Sequence, residues 1–170
     1  VIEGRAKTLE VEVSRYLKKQ VQWVNSITNP EMLNEQFITE VLKKVKPELS
    51  DINVLSIDEL NRMGASDILS FASIDLLRRI SKGEKPQVEA FLQDKEWHFQ
   101  VASLIKTNMQ RDLQNQVMLT VFDLSVLKEI LQKSQQAFSG EMAISINGIN
   151  KPILQLGSGI VGSGITLTTE

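Results

Sequence analysis

The sequence predicts an α+β domain in which several helices pack on an antiparallel sheet. Helical hydrophobic periodicity dominates the first half of the 170 residues, and strand patterns with one crossing helix dominate the second half. Many of the predicted strands follow one another in the sequence and are joined by short polar segments. This favours hairpins over the helix-connected parallel strands of an α/β fold. A chain of this length corresponds to about one domain with one substantial core.

Composition excludes several classes of site. The chain has no cysteine, which excludes disulfides, thiol catalysis and iron–sulfur ligation, and its single histidine, His98, cannot form a two-imidazole metal site. Lysine and arginine (19) nearly balance aspartate and glutamate (21), so the charge gives no support to nucleic-acid binding. No apolar run approaches the roughly 20 residues that span a bilayer. We expect no cofactor and no metal.

The two ends of the chain differ in composition from the segment between them. Residues Ile2-Glu3-Gly4-Arg5 spell a protease site used to remove fusion tags, so residues 1–5 are expected to be a remnant of such a site. Residues 157–170 are rich in glycine, serine and threonine, which indicates a linker or tail. We therefore expect a single domain over residues 6–156, taken from a longer chain.

A long helix is predicted over residues 7–27, because apolar residues recur there at alternating steps of four and three. One apolar stripe is expected to face the core and consists of Val13, Leu17, Val21 and Val24. A second stripe beside it contains Leu9, Tyr16, Gln20, Trp23 and Ile27. Two interpretations stay open for this helix. Either both stripes pack within the domain, or a homodimer seam is formed by Leu9, Val13, Tyr16 and Trp23.

The remaining elements follow from periodicity and from helix start and stop signals. Helices are expected from Asn29-Pro30 up to Pro47, over 66–82 with Gly83 as the stop, and over 123–137 with Asp123 as the cap. Residues 58–64 are expected to form a connector. Strands are expected at 52–57, 88–92, 97–105, 116–122, 141–146 and 152–156. Within 97–105, Trp97 and His98 face opposite sides of the sheet because side chains alternate along a strand.

Two short motifs resemble catalytic or nucleotide-binding signatures but lack their structural context. Gly157-Ser158-Gly159-Ile160-Val161-Gly162 matches the dinucleotide pattern, yet no helix can follow it to bind a pyrophosphate. Ser125 and Lys128 have serine–lysine acyl-enzyme spacing, but the partner motifs are missing. The carboxylates are scattered and form no calcium loop. The residues therefore predict a non-catalytic module.

Three stretches resemble the N-terminal region of membrane-anchored phosphomannomutase/phosphoglucomutase proteins of proteobacteria. They are LSFASIDLLRR at 69–79, GEKPQVE at 83–89 and VMLTVFDLSVL at 117–127, within a likeness that covers residues from about 50 to 156. The resemblance implies a PAS-like, Cache-type sensing domain, with a long helix across an antiparallel sheet of about five strands. It also implies a periplasmic position in a Gram-negative inner-membrane protein. The mutase phosphoserine motif is absent, so no catalytic residue is carried over.

A non-catalytic extracytoplasmic sensory or regulatory domain is therefore the leading expectation. An unknown small molecule is expected to bind near Trp97, His98, Met63 and Ser66, with the membrane reached through flanking segments and a homodimer formed through the first helix. One alternative is a protein-interaction or dimerisation module. Another is the periplasmic input domain of a sensor kinase or chemoreceptor. No nucleic-acid partner is expected.

Overall fold

The computed structural model describes residues 2–27, 34–64, 69–85, 88–105, 116–136, 142–146, 154–156 and 164–167. Its helices are α1 (Ile2–Ser26), α2 (Glu35–Phe37), α3 (Lys43–Val45), α4 (Ile57–Arg62), α5 (Phe71–Ser81) and α6 (Ser125–Gln136). A π-helical turn (Ile38–Leu42) joins α2 to α3. The strands are β1 (Leu49–Ser56), β2 (Val88–Gln93), β3 (Glu96–Ile105), β4 (Gln116–Phe122), β5 (Met142–Ile146), β6 (Leu154–Leu156) and β7 (Gly164–Leu167).

The main sheet has the order β1-β4-β3-β2, and all its strand pairs are antiparallel. This confirms the α+β class, the antiparallel sheet and the N-terminal helix, but the sheet has four strands rather than about five. The last two expected strands, β5 and β6, pair with each other instead of extending this sheet. The strand β7 also pairs with β5, in parallel, so a strand lies inside the segment expected to be a linker.

Helices cover both faces of the main sheet. One face packs against α1 and α6 through the cluster that contains Phe99 and Phe122. The other face packs against α4 and α5 through the cluster that contains Ala102 and Leu119. Because side chains alternate along β3 and β4, each of these strands supplies apolar residues to both clusters. The result is a three-layer arrangement with the sheet in the middle.

Both apolar stripes of α1 pack within the chain itself. Leu9 and Val13 are 1% and 0% exposed, so they have no surface to offer a second chain. Tyr16 meets Phe99 edge to face at 6.1 Å, and Trp23 meets Phe122 at 6.2 Å. Of the four residues of the alternative dimer seam, Leu9 and Val13 are therefore core residues, and Tyr16 and Trp23 contact the sheet. The reason is that β3 and β4 present aromatic residues that need covering.

The helix boundaries follow local capping chemistry. Ser56 and Glu59 form a capping box, which starts α4 where a connector was expected. Ser70 accepts a hydrogen bond from the Ser73 backbone N–H, so α5 begins later than the expected residue 66. Gly83 follows α5 at φ +97°, as expected for a helix stop.

A matched pair of phenylalanine substitutions tests the position of the core. Phe99 is 0% exposed and stacks on Phe122 at 4.9 Å between ring centres, whereas Phe71 is 74% exposed. We expect Phe99→Ala to lower the free energy of unfolding by about 3–5 kcal/mol through cavity formation. Phe71→Ala should change it by less than about 0.5 kcal/mol. Urea denaturation measures both values, and equal effects of the two substitutions would contradict this packing.

Candidate functional site

A cavity of about 570 Å³ opens on the face of the sheet that is covered by α5. Leu119 and Val121 of β4 form its floor, and the start of α5 forms one wall with Ser70 and Ser73. The strand β1 and the β2–β3 hairpin lie on opposite sides of it. Their side chains in the lining are Ser50, Asp51, Asn53, Phe91, Leu92, Gln93, Asp94, Glu96 and His98.

Strand register explains why these side chains converge. Asp51 pairs with Val121 across β1 and β4, and Val121 pairs with Gln100 across β4 and β3. The three residues therefore form one row on the same face of the sheet. His98 lies two residues before Gln100 on that face, and it pairs with Phe91 of β2. Residues that are far apart in sequence are thereby placed around one space.

A short chain of hydrogen bonds links α5 to the buried part of β3. The Ser73 hydroxyl lies 2.8 Å from the Ser70 hydroxyl and donates to Gln100 Oε1 at 2.8 Å. Since Ser73 has one hydroxyl hydrogen, the Ser70 hydroxyl must donate to Ser73. Gln100 is 0% exposed, and its Nε2 has no hydrogen-bond partner among the described residues. This chain of hydrogen bonds therefore ends at the Gln100 amide, whose buried Nε2 has no acceptor among the described residues.

The charges that line the cavity are negative. Asp51 accepts from the Ile52 backbone N–H at 2.9 Å and from Asn53 Nδ2 at 3.2 Å, and Asp94 and Glu96 lie at the other side. No lysine or arginine belongs to the described lining.

The arginines of α5 are engaged elsewhere. Arg79 pairs with Asp75, Glu84 and Glu89, and the pKa of its guanidinium is raised chiefly by the hydrogen bond to Glu89. Arg78 donates to the Met63 carbonyl at 2.9 Å. These contacts tie α5 to β2 and to the end of α4.

His98 and Phe91 form the aromatic side of the cavity. Their ring centres are 5.6 Å apart with planes tilted by 31°. His98 Nδ1 lies 3.2 Å from the Glu96 carbonyl oxygen. Because a carbonyl only accepts, Nδ1 carries the hydrogen, and in the neutral ring Nε2 is then an acceptor.

Of the four residues expected to bind a ligand, the structure describes three, and it does not bring those three together. His98 lines the cavity, whereas Trp97 faces the opposite side of the sheet and packs against the α1 cluster. Met63 is half-buried against the α5 cluster, and Ser66 lies outside the described residues. Sequence reasoning missed Asp51, although its alternation with Asn53 along β1 is a signal that both side chains share a face.

Gln100 was also missed as the buried partner of a lining residue, because Ser73 lies 27 positions away on α5. A glutamine inside an apolar strand is unusual enough to indicate a buried hydrogen bond. The sequence alone does not identify that partner.

A second polar cluster lies under α1, on the opposite face of the sheet. Lys46 Nζ donates to Gln20 Oε1 at 2.6 Å, lies 3.8 Å from Glu48 and stands 4.9 Å above the Trp23 ring. The buried hydroxyl of Tyr16 has no partner among the described residues, and burial raises its pKa, with smaller contributions from Glu48 and Asp123. This cluster fixes α1 against the segment that enters β1.

Neither a metal centre nor a membrane span is found in the described part of the chain. There, no three His, Asp or Glu side chains are grouped to hold a metal ion, and no helix combines the length and apolar character of a bilayer-crossing segment. Comparison with protein-family models and with curated proteins found no match. The resemblance to mutase N-terminal domains therefore stays a prediction.

The bond between Ser73 and Gln100 can be tested by removing one partner and then both. Ser73→Ala is expected to lower the free energy of unfolding by about 1–3 kcal/mol, because it leaves the buried amide unpaired. Adding Gln100→Leu should recover part of that loss, since leucine needs no partner. Urea denaturation of the single and double variants measures the difference.

Ser81→Ala is the matched control for this series. The Ser81 hydroxyl donates to the Arg78 carbonyl near the end of the same helix, in an exposed contact. Its removal should therefore lower the free energy of unfolding by less than Ser73→Ala does. A double variant that is less stable than Ser73→Ala alone would contradict the importance of the pairing.

The raised pKa of Tyr16 predicts how stability depends on alkaline pH. Tyr16 is the only tyrosine of the chain, so tyrosinate absorbance reports this residue alone. The folded phenol should not ionise near pH 10, roughly where a free tyrosine titrates. Because the unfolded chain ionises first, the contribution to stability is complete below about pH 10 and is lost as the pH rises above it.

Tyr16→Phe provides the control, because it removes this pH dependence of the free energy of unfolding. An ultraviolet titration of the folded protein in which the phenol ionises at its ordinary pKa would show that the hydroxyl is accessible to water.

Proposed function

We propose that this chain is a non-catalytic sensory or regulatory domain, and that its ligand occupies the cavity beside α5. The observation that carries the proposal is a polar cavity built on the face of the sheet opposite α1. Concave sites with an apolar floor and a few convergent polar groups are the usual binding sites for small molecules. Here the floor is Leu119 and Val121, and the polar groups come from β1, β3 and α5.

The finer assignment, a PAS/Cache-like domain of a membrane-anchored protein, is supported by architecture. A long N-terminal helix lies across one face of an antiparallel sheet, and the cavity lies on the sheet, as the resemblance to mutase N-terminal domains leads one to expect. The periplasmic position and the attachment to a phosphomannomutase/phosphoglucomutase rest on that resemblance. A sensor kinase or chemoreceptor is the alternative protein to which such an input domain belongs.

Two strands supply a physical connection between the cavity and α1. In β3, His98 lines the cavity while the next residue, Phe99, contacts Tyr16 of α1. In β4, Val121 lines the cavity while Phe122 contacts Trp23. A ligand that binds one arrangement of these strands better than another will shift the position of α1, because only a difference in affinity moves such an equilibrium.

An interaction module is the second candidate, and it is favoured by the outer face of α1. Val11 is 47% exposed there, among charged and polar side chains that include Arg15 and Lys18. A homodimer through α1 would use this face, since Leu9 and Val13 are buried. The candidate ranks below ligand binding because single exposed apolar side chains are common on protein surfaces.

A ligand screen by nuclear magnetic resonance tests the sensory proposal. We expect at least one compound from a broad panel of polar metabolites to shift the amide signals of Asn53, Ser73 and His98. Smaller shifts of amide signals should also occur in α1, because β3 and β4 contact both the cavity and α1. Asn53→Tyr should abolish the shifts by filling the cavity.

Asn61→Tyr is the control, since Asn61 is exposed on α4 and does not line the cavity. A panel in which no compound perturbs the cavity residues would overturn the proposal. So would binding that Asn53→Tyr leaves intact.

A further inference from the structure

Building on the membrane-anchored domain proposed above, we infer that the outer face of α1 docks on an anionic lipid surface and that the ligand cavity faces away from that surface. The partner is a bilayer rich in anionic headgroups such as phosphatidylglycerol. Three features carry the inference: a basic groove along α1, cations in it that no described carboxylate pairs with, and a cavity with acidic lining on the opposite face of the sheet.

A shallow groove of about 530 Å³ lies along the outer face of α1, and its described lining comes from this helix alone. Its charged residues are Lys7, Arg15, Lys18 and Lys19 against a single carboxylate, Glu10. All four basic side chains are exposed. From the periodicity of an α-helix, they lie within about 120° of the circumference, on the side opposite the buried apolar stripe. Positive charge is therefore concentrated on one face of a chain whose net charge is −2.

No ion pair engages these cations within the described part of the chain. The salt bridges found there belong to Lys46 and Arg79, neither of which lies in α1. Glu10 lies at one edge of the basic arc, and Glu12 is exposed outside the lining of the groove. Basic side chains that share a face and lack acidic partners attract a surface of opposite charge.

The shape of this face favours a planar surface over a small anion or a second copy of the chain. The basic residues from Lys7 to Lys19 extend along about 18 Å of the helix, further than one small anion reaches. Val11 is 47% exposed among them, and an apolar side chain in this position can enter the headgroup region of a bilayer. A twofold dimer through this face would bring the same positive charges together, which is repulsive.

The sheet separates the basic face from the ligand cavity. The helix α1 covers the side of the sheet that contains Phe99 and Phe122, whereas the cavity opens on the side covered by α5. The carboxylates in the cavity lining are Asp51, Asp94 and Glu96. An anionic bilayer attracts the α1 side and repels the cavity mouth. Docking through α1 therefore leaves the cavity open to water, from which a soluble ligand arrives.

Sedimentation with lipid vesicles tests whether the chain binds an anionic surface. At an ionic strength of about 0.02 M, where screening is weak, we expect the protein to pellet with phosphatidylglycerol vesicles and to remain in solution with phosphatidylcholine vesicles. The bound fraction should fall as salt is raised to about 0.5 M, because screening shortens the range of the attraction.

A triple substitution assigns the binding to α1. Arg15→Gln, Lys18→Gln and Lys19→Gln together should lower the partition coefficient on phosphatidylglycerol by at least about thirtyfold, because each basic residue near such a surface contributes roughly fivefold. The three side chains are exposed, so the variant should keep its fold.

The matched control combines Lys82→Gln, Lys85→Gln and Lys95→Gln, which removes three exposed cations between α5 and β3. Its net charge equals that of the α1 variant. We expect its partition coefficient to differ from that of the unsubstituted chain by less than about threefold, because these residues lie away from the docking face.

A spin label on the lipid headgroup reports the orientation of the docked domain. In nuclear magnetic resonance spectra with phosphatidylglycerol nanodiscs, the label should broaden the amide signals of Val11 and Lys18. The amide signals of Asn53 and Ser73, which line the cavity, should keep their widths.

The outcomes separate this inference from the ligand-binding proposal. Absence of binding to phosphatidylglycerol at low salt, equal losses in the two triple variants, or broadening at Asn53 and Ser73 would overturn the inference. Binding of poly-glutamate to α1 without binding of vesicles would also overturn it and assign this face to an acidic protein partner. None of these results changes the metabolite screen, which decides separately whether the cavity holds a ligand.

Discussion

The central strands β3 and β4 are apolar on both faces, and the arrangement of α1, α4, α5 and α6 depends on this constraint. A sheet with two apolar faces is stable in water only if each face is covered. The helices α1 and α6 cover one face, and α4 and α5 cover the other. The stacked rings of Phe99 and Phe122 lie at the centre of the first face and hold the aromatic side chains of α1.

The cavity lies on the second face of the sheet, beside the N-terminal end of α5. The cap at Ser70 starts α5, so the first residues of that helix stand at the wall of the cavity. Between this helix start and the β2–β3 turn, the sheet presents Val121, His98 and Phe91 to the open space. Buried polar atoms are tolerated here because the hydrogen bond between Ser73 and Gln100 gives some of them a partner. Stability and the proposed ligand binding thus depend on the same few residues.

The sheet is shared by two polar clusters that lie on its opposite faces. One surrounds the cavity, and the other joins Lys46, Gln20 and Glu48 under α1. Buried polar contacts are geometrically demanding, because a small displacement leaves a donor or a charge without its partner. A movement of β3 or β4 would therefore alter contacts on both faces, as the sensory role proposed above requires.

Local patterns were sufficient for much of the secondary structure. Alternation predicted the strand at 97–105 and separated Trp97 from His98 by face, because the two-residue period is a property of the chain itself. A run of β-branched and apolar residues predicted the strand at 116–122. The Gly83 stop followed in the same way from its freedom at positive φ. The helix α4 was missed, although the serine–glutamate spacing of its capping box was legible in the sequence.

Tertiary structure alone decided which faces became interior and which residues meet at the site. Periodicity identified both stripes of α1, but only the aromatic residues of β3 and β4 decided that both stripes pack on the sheet. The last two expected strands likewise lie in a separate sheet, in which β5 is between β6 and β7. Asp51, Ser73 and Gln100 converge because strand register and helix docking bring distant segments together, and such long-range contacts leave no periodic trace in the sequence.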